Sequence, residues 1–181
     1  GLTSGPTGEI SGPMKFSLRP PYLIEPEAFW RDVFFDPAYN EALYREGLHF
    51  EAFKVLDETS PADGRRTRKL AVKPKLDMPG PIKAMLGDSV DYVEDGRLDP
   101  SRPAWITKVI PSKLADKVSI TNEFWLERTG PGRSDRVASF EVNVKIFGLG
   151  GVFEKFLEKT MRESYQKAAD FTNQWLERHG L

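Results

Sequence analysis

The sequence predicts an α+β fold: a curved antiparallel sheet of about six to seven strands wrapped around one long C-terminal helix, with two short helices after the first strand. Three patterns carry that reading. Val118, Ile120, Asn122, Phe124 and Leu126 alternate with Ser119, Thr121, Glu123, Trp125 and Glu127. Ala138, Phe140, Val142, Val144 and Ile146 alternate in the same way with Ser139, Glu141, Asn143 and Lys145. A period of two means one buried face and one wet face, the mark of antiparallel strands. From Gly151 the period changes. Phe153, Phe156, Leu157, Met161, Tyr165, Ala168, Thr172, Trp175 and Leu176 recur at three- and four-residue steps among Glu and Lys, which predicts an amphipathic helix to about His179. At ~1.5 Å per residue it is roughly 40 Å long, enough to cross a whole sheet. Finally, no long helix separates the strand-like runs, which excludes parallel crossover units.

The remaining elements follow in order. Residues 1–13 are rich in Gly, Ser, Thr and Pro and read as a cloning remnant or flexible tail. Met14 reads as the natural start, and residues 14–181 as a single domain. Lys15 to Ile24 reads as a strand that bulges or lies at an edge, because Pro20-Pro21 lacks two ladder donors. Glu25-Pro26-Glu27 opens a short helix to Phe35. Asp36 caps a second, Ala38 to Glu46, which Gly47 ends. Strands are expected over Leu48–Glu58, Arg65–Leu76, Ser89–Leu98, Trp105–Ile110, Val118–Arg128 and Arg136–Phe147. Met78 to Gly87 is a proline-bounded apolar piece, a short helix or lid. Gly148, Gly150 and Gly151 loosen the strand-to-helix junction and allow close helix–sheet approach. A phosphate cradle there is disfavoured, since no Lys-Ser/Thr follows.

Composition excludes several functions. The net charge is -1, from 26 basic and 27 acidic residues, so nothing in the balance points to nucleic acid or an anionic membrane. The basic cluster Arg65, Arg66, Arg68 and Lys69 lacks interleaved aromatics and reads as a solvated strand face. Cysteine is absent, which removes disulfides, thiolate metal sites and a cysteine nucleophile. With only His49 and His179, no histidine-rich metal site is expected, and no cofactor is implied. There is no secretory signal and no apolar run of membrane-spanning length, so a cytoplasmic protein with at most transient membrane contact is expected.

Two stretches carry a family resemblance. Phe29-Trp30 followed by Asp36-Pro37-Ala38-Tyr39 is similar to the opening of a bacterial branch of unknown function. The run from Glu141 to Glu154, with Phe147-Gly148-Leu149-Gly150-Gly151-Val152-Phe153 at its centre, resembles that branch's strand-to-helix junction. With the element order from Met14 to Leu181, the chain resembles the START-like, polyketide cyclase-like (SRPBCC, helix-grip) superfamily. That resemblance implies a hydrophobic cavity between sheet and helix, holding a lipid, sterol-like or polyketide-like ligand.

Met85, Trp105, Asn122, Phe124, Phe140, Val142, Phe153, Phe156, Met161 and Tyr165 are the candidate ligand-binding residues. Taken as residues alone, most are what any core contains; the cavity comes from the resemblance. Asn122 is the one polar member of its inward set and needs a polar partner, a water or a ligand group. Tyr165 offers a hydroxyl on the apolar stripe. No catalytic residue is assigned. Asp91, Glu94, Asp95 and Asp99 read as mostly solvated, and Glu123 and Glu141 face outward by parity. His49 sits in a run apolar at both parities, so it faces either solvent or the interior. A non-enzymatic carrier or sensor leads. The alternatives are a cyclase or hydrolase using a cavity acid or His49, and an interaction module using Trp125 on the outer face.

Overall fold

In the computed structural model, which describes residues 12–181, an eight-stranded antiparallel sheet carries the long helix on its concave face. The strands are β1 (Met14–Leu18), β2 (Pro21–Tyr22), β3 (Ala52–Thr59), β4 (Thr67–Lys73), β5 (Tyr92–Asp99), β6 (Ala104–Pro111), β7 (Val118–Gly130) and β8 (Arg133–Val144). Their spatial order is β1-β8-β7-β6-β5-β4-β3, with β2 also on β8. The predicted first strand is interrupted at Arg19-Pro20, because proline cannot donate to the ladder.

Helix α1 (Pro26–Ala28) runs into a wide turn over Phe29–Val33, and α2 (Pro37–Ala42) into another over Leu43–Gly47. In each, an amide bonds five residues back: Phe34 N–H donates to the Phe29 carbonyl at 2.9 Å and Leu48 N–H to that of Leu43 at 2.8 Å. Asp36 caps α2, accepting from the Ala38 N–H at 3.0 Å. The turn after α1 presses onto the concave face, where Trp30 stacks on Phe124 and Phe34 meets Phe124 and Trp105 edge-on, while Tyr39 of α2 packs on Thr172 and Trp175 of α4. Trp125, on the opposite face of β7, is therefore not covered by these short helices; it is half-buried and donates to Glu127. Helix α3 (Gly80–Leu86) is the short helix expected between Met78 and Gly87.

Helix α4 (Gly150–Arg178) is clamped along its C-terminal half. Asn173 accepts from the Leu23 amide at 2.9 Å and donates to the Pro21 carbonyl at 3.1 Å. Thr172 shares a 2.7 Å hydrogen bond with Tyr39, both fully buried. Phe171 packs so closely on Gly47 that a Cβ there would lie 2.7 Å from its ring. Its outer face carries the expected Glu158–Arg162 pair at 2.9 Å.

Three expectations are corrected. His49 is not in a strand. It is an exposed turn residue with φ of 55°, reversing the chain after the wide turn before β3 starts at Ala52. Of the three junction glycines, Gly148 alone has positive φ (76°), while Gly150 and Gly151 meet nothing closer than 3.5 Å. The basic cluster is not wholly solvated, since Arg68 is buried with Leu70 and Val72 on the inner face of β4.

Candidate functional site

Side chains do not fill the space under the N-terminal half of α4. A cavity of about 250 Å³ lies there, walled by the sheet, the wide turn after α2, α4, and the end of α3 with its flanking segments. Trp105, Asn122, Phe124, Phe140, Phe153, Phe156, Met161 and Tyr165 all border it. Met85 and Val142 do not. Leu86, one residue on from Met85, lines the wall, while Val142 is fully buried in the core. Phe140 sits between Phe16, stacked at 4.7 Å, and Tyr165, edge-on at 5.0 Å, which fixes one wall.

Strand register arranges the cavity in layers. Cross-strand partners run Arg68–Gly96–Thr107–Asn122–Phe140, then, one inward step along each strand, Leu70–Glu94–Val109–Ile120–Val142. Further toward the same end come Pro74, Leu76, Pro111, Leu114 and Val118, with Leu86 and Val90 from the α3 segment. That end is apolar except for Lys113, whose ammonium donates to the Leu86 carbonyl at 2.6 Å and ties α3 to the β6–β7 connection. Polar groups gather at the opposite end.

Four features define the polar end. Asn122 accepts from the Tyr165 hydroxyl at 3.2 Å and donates to the Ser139 carbonyl at 3.2 Å, so the two polar candidates of the sequence satisfy each other. Arg136 lays its guanidinium 3.7 Å over the Phe124 ring and donates to the hydroxyls of Tyr22 at 3.2 Å and, more weakly, Tyr165 at 3.5 Å. Arg68 lies against Phe34 and Trp105 and donates to the Phe34 carbonyl at 3.3 Å. Glu94 accepts a 2.6 Å hydrogen bond from Tyr44. Burial pushes the Glu94 carboxyl above its ordinary pKa, against the opposing pull of Tyr44 and the two arginines. Burial first, then Glu94, lifts the Tyr44 and Tyr92 hydroxyls well above theirs, so both stay protonated.

Glu94 overturns its reading as a solvated acid and Arg68 its reading as part of a solvated basic face, and Arg136 is a site residue that sequence reasoning did not mark. The signal was present as parity. Arg68 alternates with Leu70 and Val72, Glu94 with Tyr92 and Leu98, and Arg136 with Ala138 and Phe140. Glu123 and Glu141 do face outward, Glu123 paired with Arg102. Among the described residues no group of three or more His, Asp or Glu is placed to hold a metal.

A sheet gripping one helix over an apolar cavity defines a helix-grip protein, and solved structures share that architecture. An aromatase/cyclase from Streptomyces sp. R1128 aligns with TM-score 0.65 at 12% identity, over 93% of this chain and 96% of its own. Norcoclaurine synthase from Thalictrum flavum aligns at 0.63 and 14% identity, covering 92% and 98%. A START superfamily protein from Mycobacterium smegmatis aligns at 0.58 and 16%, covering 90% and 98%. The chain belongs to the family described as protein of unknown function DUF2505, whose model matches residues 21–176. No curated protein matches its sequence.

Proposed function

We propose that this protein binds a hydrophobic small molecule in the cavity between sheet and α4, as a carrier or sensor. The observation that supports the reading is the cavity itself: about 250 Å³, walled by aromatic and aliphatic side chains, with a few polar groups converging at one end. That is the composition of small-molecule sites, near the lower end of their usual size. Affinity comes mainly from apolar burial, at ~25 cal/mol per Å² before association costs. Access runs at the apolar end, past α3 and the first turns of α4. No described helix is long and apolar enough to cross a membrane, and the reading is of a cytoplasmic protein that touches membranes at most briefly.

A second reading has one observation in its favour. Glu94 is an inward carboxyl with a raised pKa, and two similar folds are named as enzymes, an aromatase/cyclase and a synthase. In it, Glu94 with Tyr44 moves a proton on a bound substrate.

Native mass spectrometry of protein purified from its host, with decanol and naphthylmethanol titrated by calorimetry, tests the leading reading. A co-purified apolar species, or saturable binding of either alcohol lost in Phe140→Asp, supports it. No bound species and no binding of either alcohol or of the corresponding acids, decanoate and naphthoate, overturns it. Tight binding with a Glu94-dependent chemical change in the ligand favours the enzyme.

A further inference from the structure

Resting on the cavity-binding reading, we propose that the ligand is an amphipathic acid whose carboxylate is held at the polar end of the cavity, which Arg68 and Arg136 border, while its apolar body fills the aromatic part.

Charge within the cavity is unbalanced. Two guanidiniums border it, and Glu94 is the one carboxylate among its walls. Neither arginine has a carboxylate oxygen within 4 Å among the described residues, whereas Arg19, Arg31, Arg45, Arg102, Arg128 and Arg162 on the surface each pair with an acid. Glu94 is committed to Tyr44 through a 2.6 Å hydrogen bond, and burial raises its pKa. Glu41 and Glu58, on the rim of a smaller cavity of about 140 Å³ behind Arg68, also leave it unpaired.

The arginines keep unused donors. Nε of each is buried without a hydrogen-bond partner, and Nη2 of Arg68 makes no hydrogen bond either. The bonds they do make are long, 3.2–3.5 Å, to neutral oxygens. Arg68 is 6% exposed, and both guanidiniums are supported on ring faces, Phe34 and Trp105 for one and Phe124 for the other. Ring faces help hold a cation out of water but leave its edge donors free. A carboxylate meets those edges with planar, charge-assisted bonds and removes the penalty of an unpaired buried charge. Thr107, paired with Gly96 and Asn122 in the register, and Tyr165, bonded to Asn122 and Arg136, border the same cavity. The apolar remainder and the cavity volume suit a medium-length chain or one to two rings, not a nucleotide.

Calorimetry on the full chain at about pH 8, where simple acids are ionised, compares decanoate with decanol and naphthoate with naphthylmethanol. Each acid is expected to bind about tenfold or more tighter than its alcohol, the scale of a charge-assisted hydrogen bond over a neutral one. Arg68→Gln and Arg136→Gln should each remove most of that preference, read as the acid-to-alcohol affinity ratio within each variant, and alcohol binding itself reports that the variant is folded. Should either variant fail to fold, the acid-to-alcohol ratio of the unaltered protein still decides. Acids and alcohols binding alike, or both variants weakening both classes equally, overturns the proposal and leaves the cavity reading standing. Binding of neither class overturns both.

Discussion

Gly96 holds the cavity wall in place by what it lacks. It lies mid-strand in β5, opposite Thr107 and Arg68, and the Trp105 indole crosses directly over its Cα. A Cβ there would overlap Cζ2 and Cε2 of Trp105 and come within 2.6 Å of its Nε1. The indole cannot swing clear, because it is 4% exposed and bounded by Phe34 at 5.1 Å, Phe35 at 5.5 Å and the Arg68 guanidinium at 5.3 Å. Gly96→Ala therefore overpacks a fixed aromatic cluster, at a cost of about 1–3 kcal/mol. Against this, losing a glycine makes the unfolded chain less flexible and returns ~0.4–1 kcal/mol. The net loss is about 1–2 kcal/mol, or roughly 3–6 °C in Tm for a domain of this size. Calorimetry gives the Tm, and the near-ultraviolet circular dichroism of tryptophan reports whether the indole has moved. Gly130→Ala is the control: its Cβ meets nothing within 4 Å, so it should leave the tryptophan spectrum unchanged and the Tm unchanged or slightly raised. A Gly96→Ala protein as stable as its parent, with an unaltered tryptophan spectrum, would refute the argument.

Other perturbations follow from the same contacts. Thr172→Val removes the partner of the Tyr39 hydroxyl and leaves it buried and unsatisfied, which should cost about 1–3 kcal/mol in urea unfolding; no loss would mean the hydroxyl finds water instead. Gly148→Ala forces a side chain into φ of 76° and should cost about 1 kcal/mol, while Gly151→Ala is neutral or mildly stabilising; equal effects would locate the junction strain elsewhere. Glu94 is raised in the folded state above its ordinary 4.5, so the folded protein holds this proton more tightly than the unfolded chain. Stability from this group is then highest in acid and falls as pH rises from about 4.5 through the raised value. Glu94→Gln should accordingly show no gain over the parent below that window and a growing gain above it, read as urea midpoint against pH. A difference independent of pH would show that Glu94 is not the group responsible.

How far the sequence spoke depended on which rule was applied to which residue. The alternation in β7 and β8 and the change of period at α4 carry long-range information, because burial on one face must repeat along the whole element. They placed the sheet, the helix and seven of the cavity's bordering residues. Strand boundaries were less legible. Leu48 to Glu51 is apolar enough for a strand, yet the wide helical turn and the left-handed His49 consume those residues first. The charged residues of the cavity were missed for a different reason. Arg68, Glu94 and Arg136 obey the same parity as their apolar neighbours, but a charge is read as solvated by default, and in β7 and β8 the default agrees with parity at Glu123 and Glu141. Ring faces that make burial tolerable for a guanidinium come from distant segments, Phe34 from α1's extension and Phe124 from β7, and no local pattern announces them.

Those two arginines also separate what the fold needs from what it does not. The clamp at the C-terminal half of α4 is built from neutral groups, Tyr39, Thr172 and Asn173, each satisfied within the protein. At the polar end of the cavity, the two guanidiniums make hydrogen bonds that are long and incomplete. Apolar residues of similar volume commonly match or exceed buried charges in stability, so folding alone gives no reason to keep two guanidiniums under one helix. The stable half of the molecule anchors the helix, and the half that covers the cavity carries polar groups left unsatisfied. A site arranged this way is completed by what enters it.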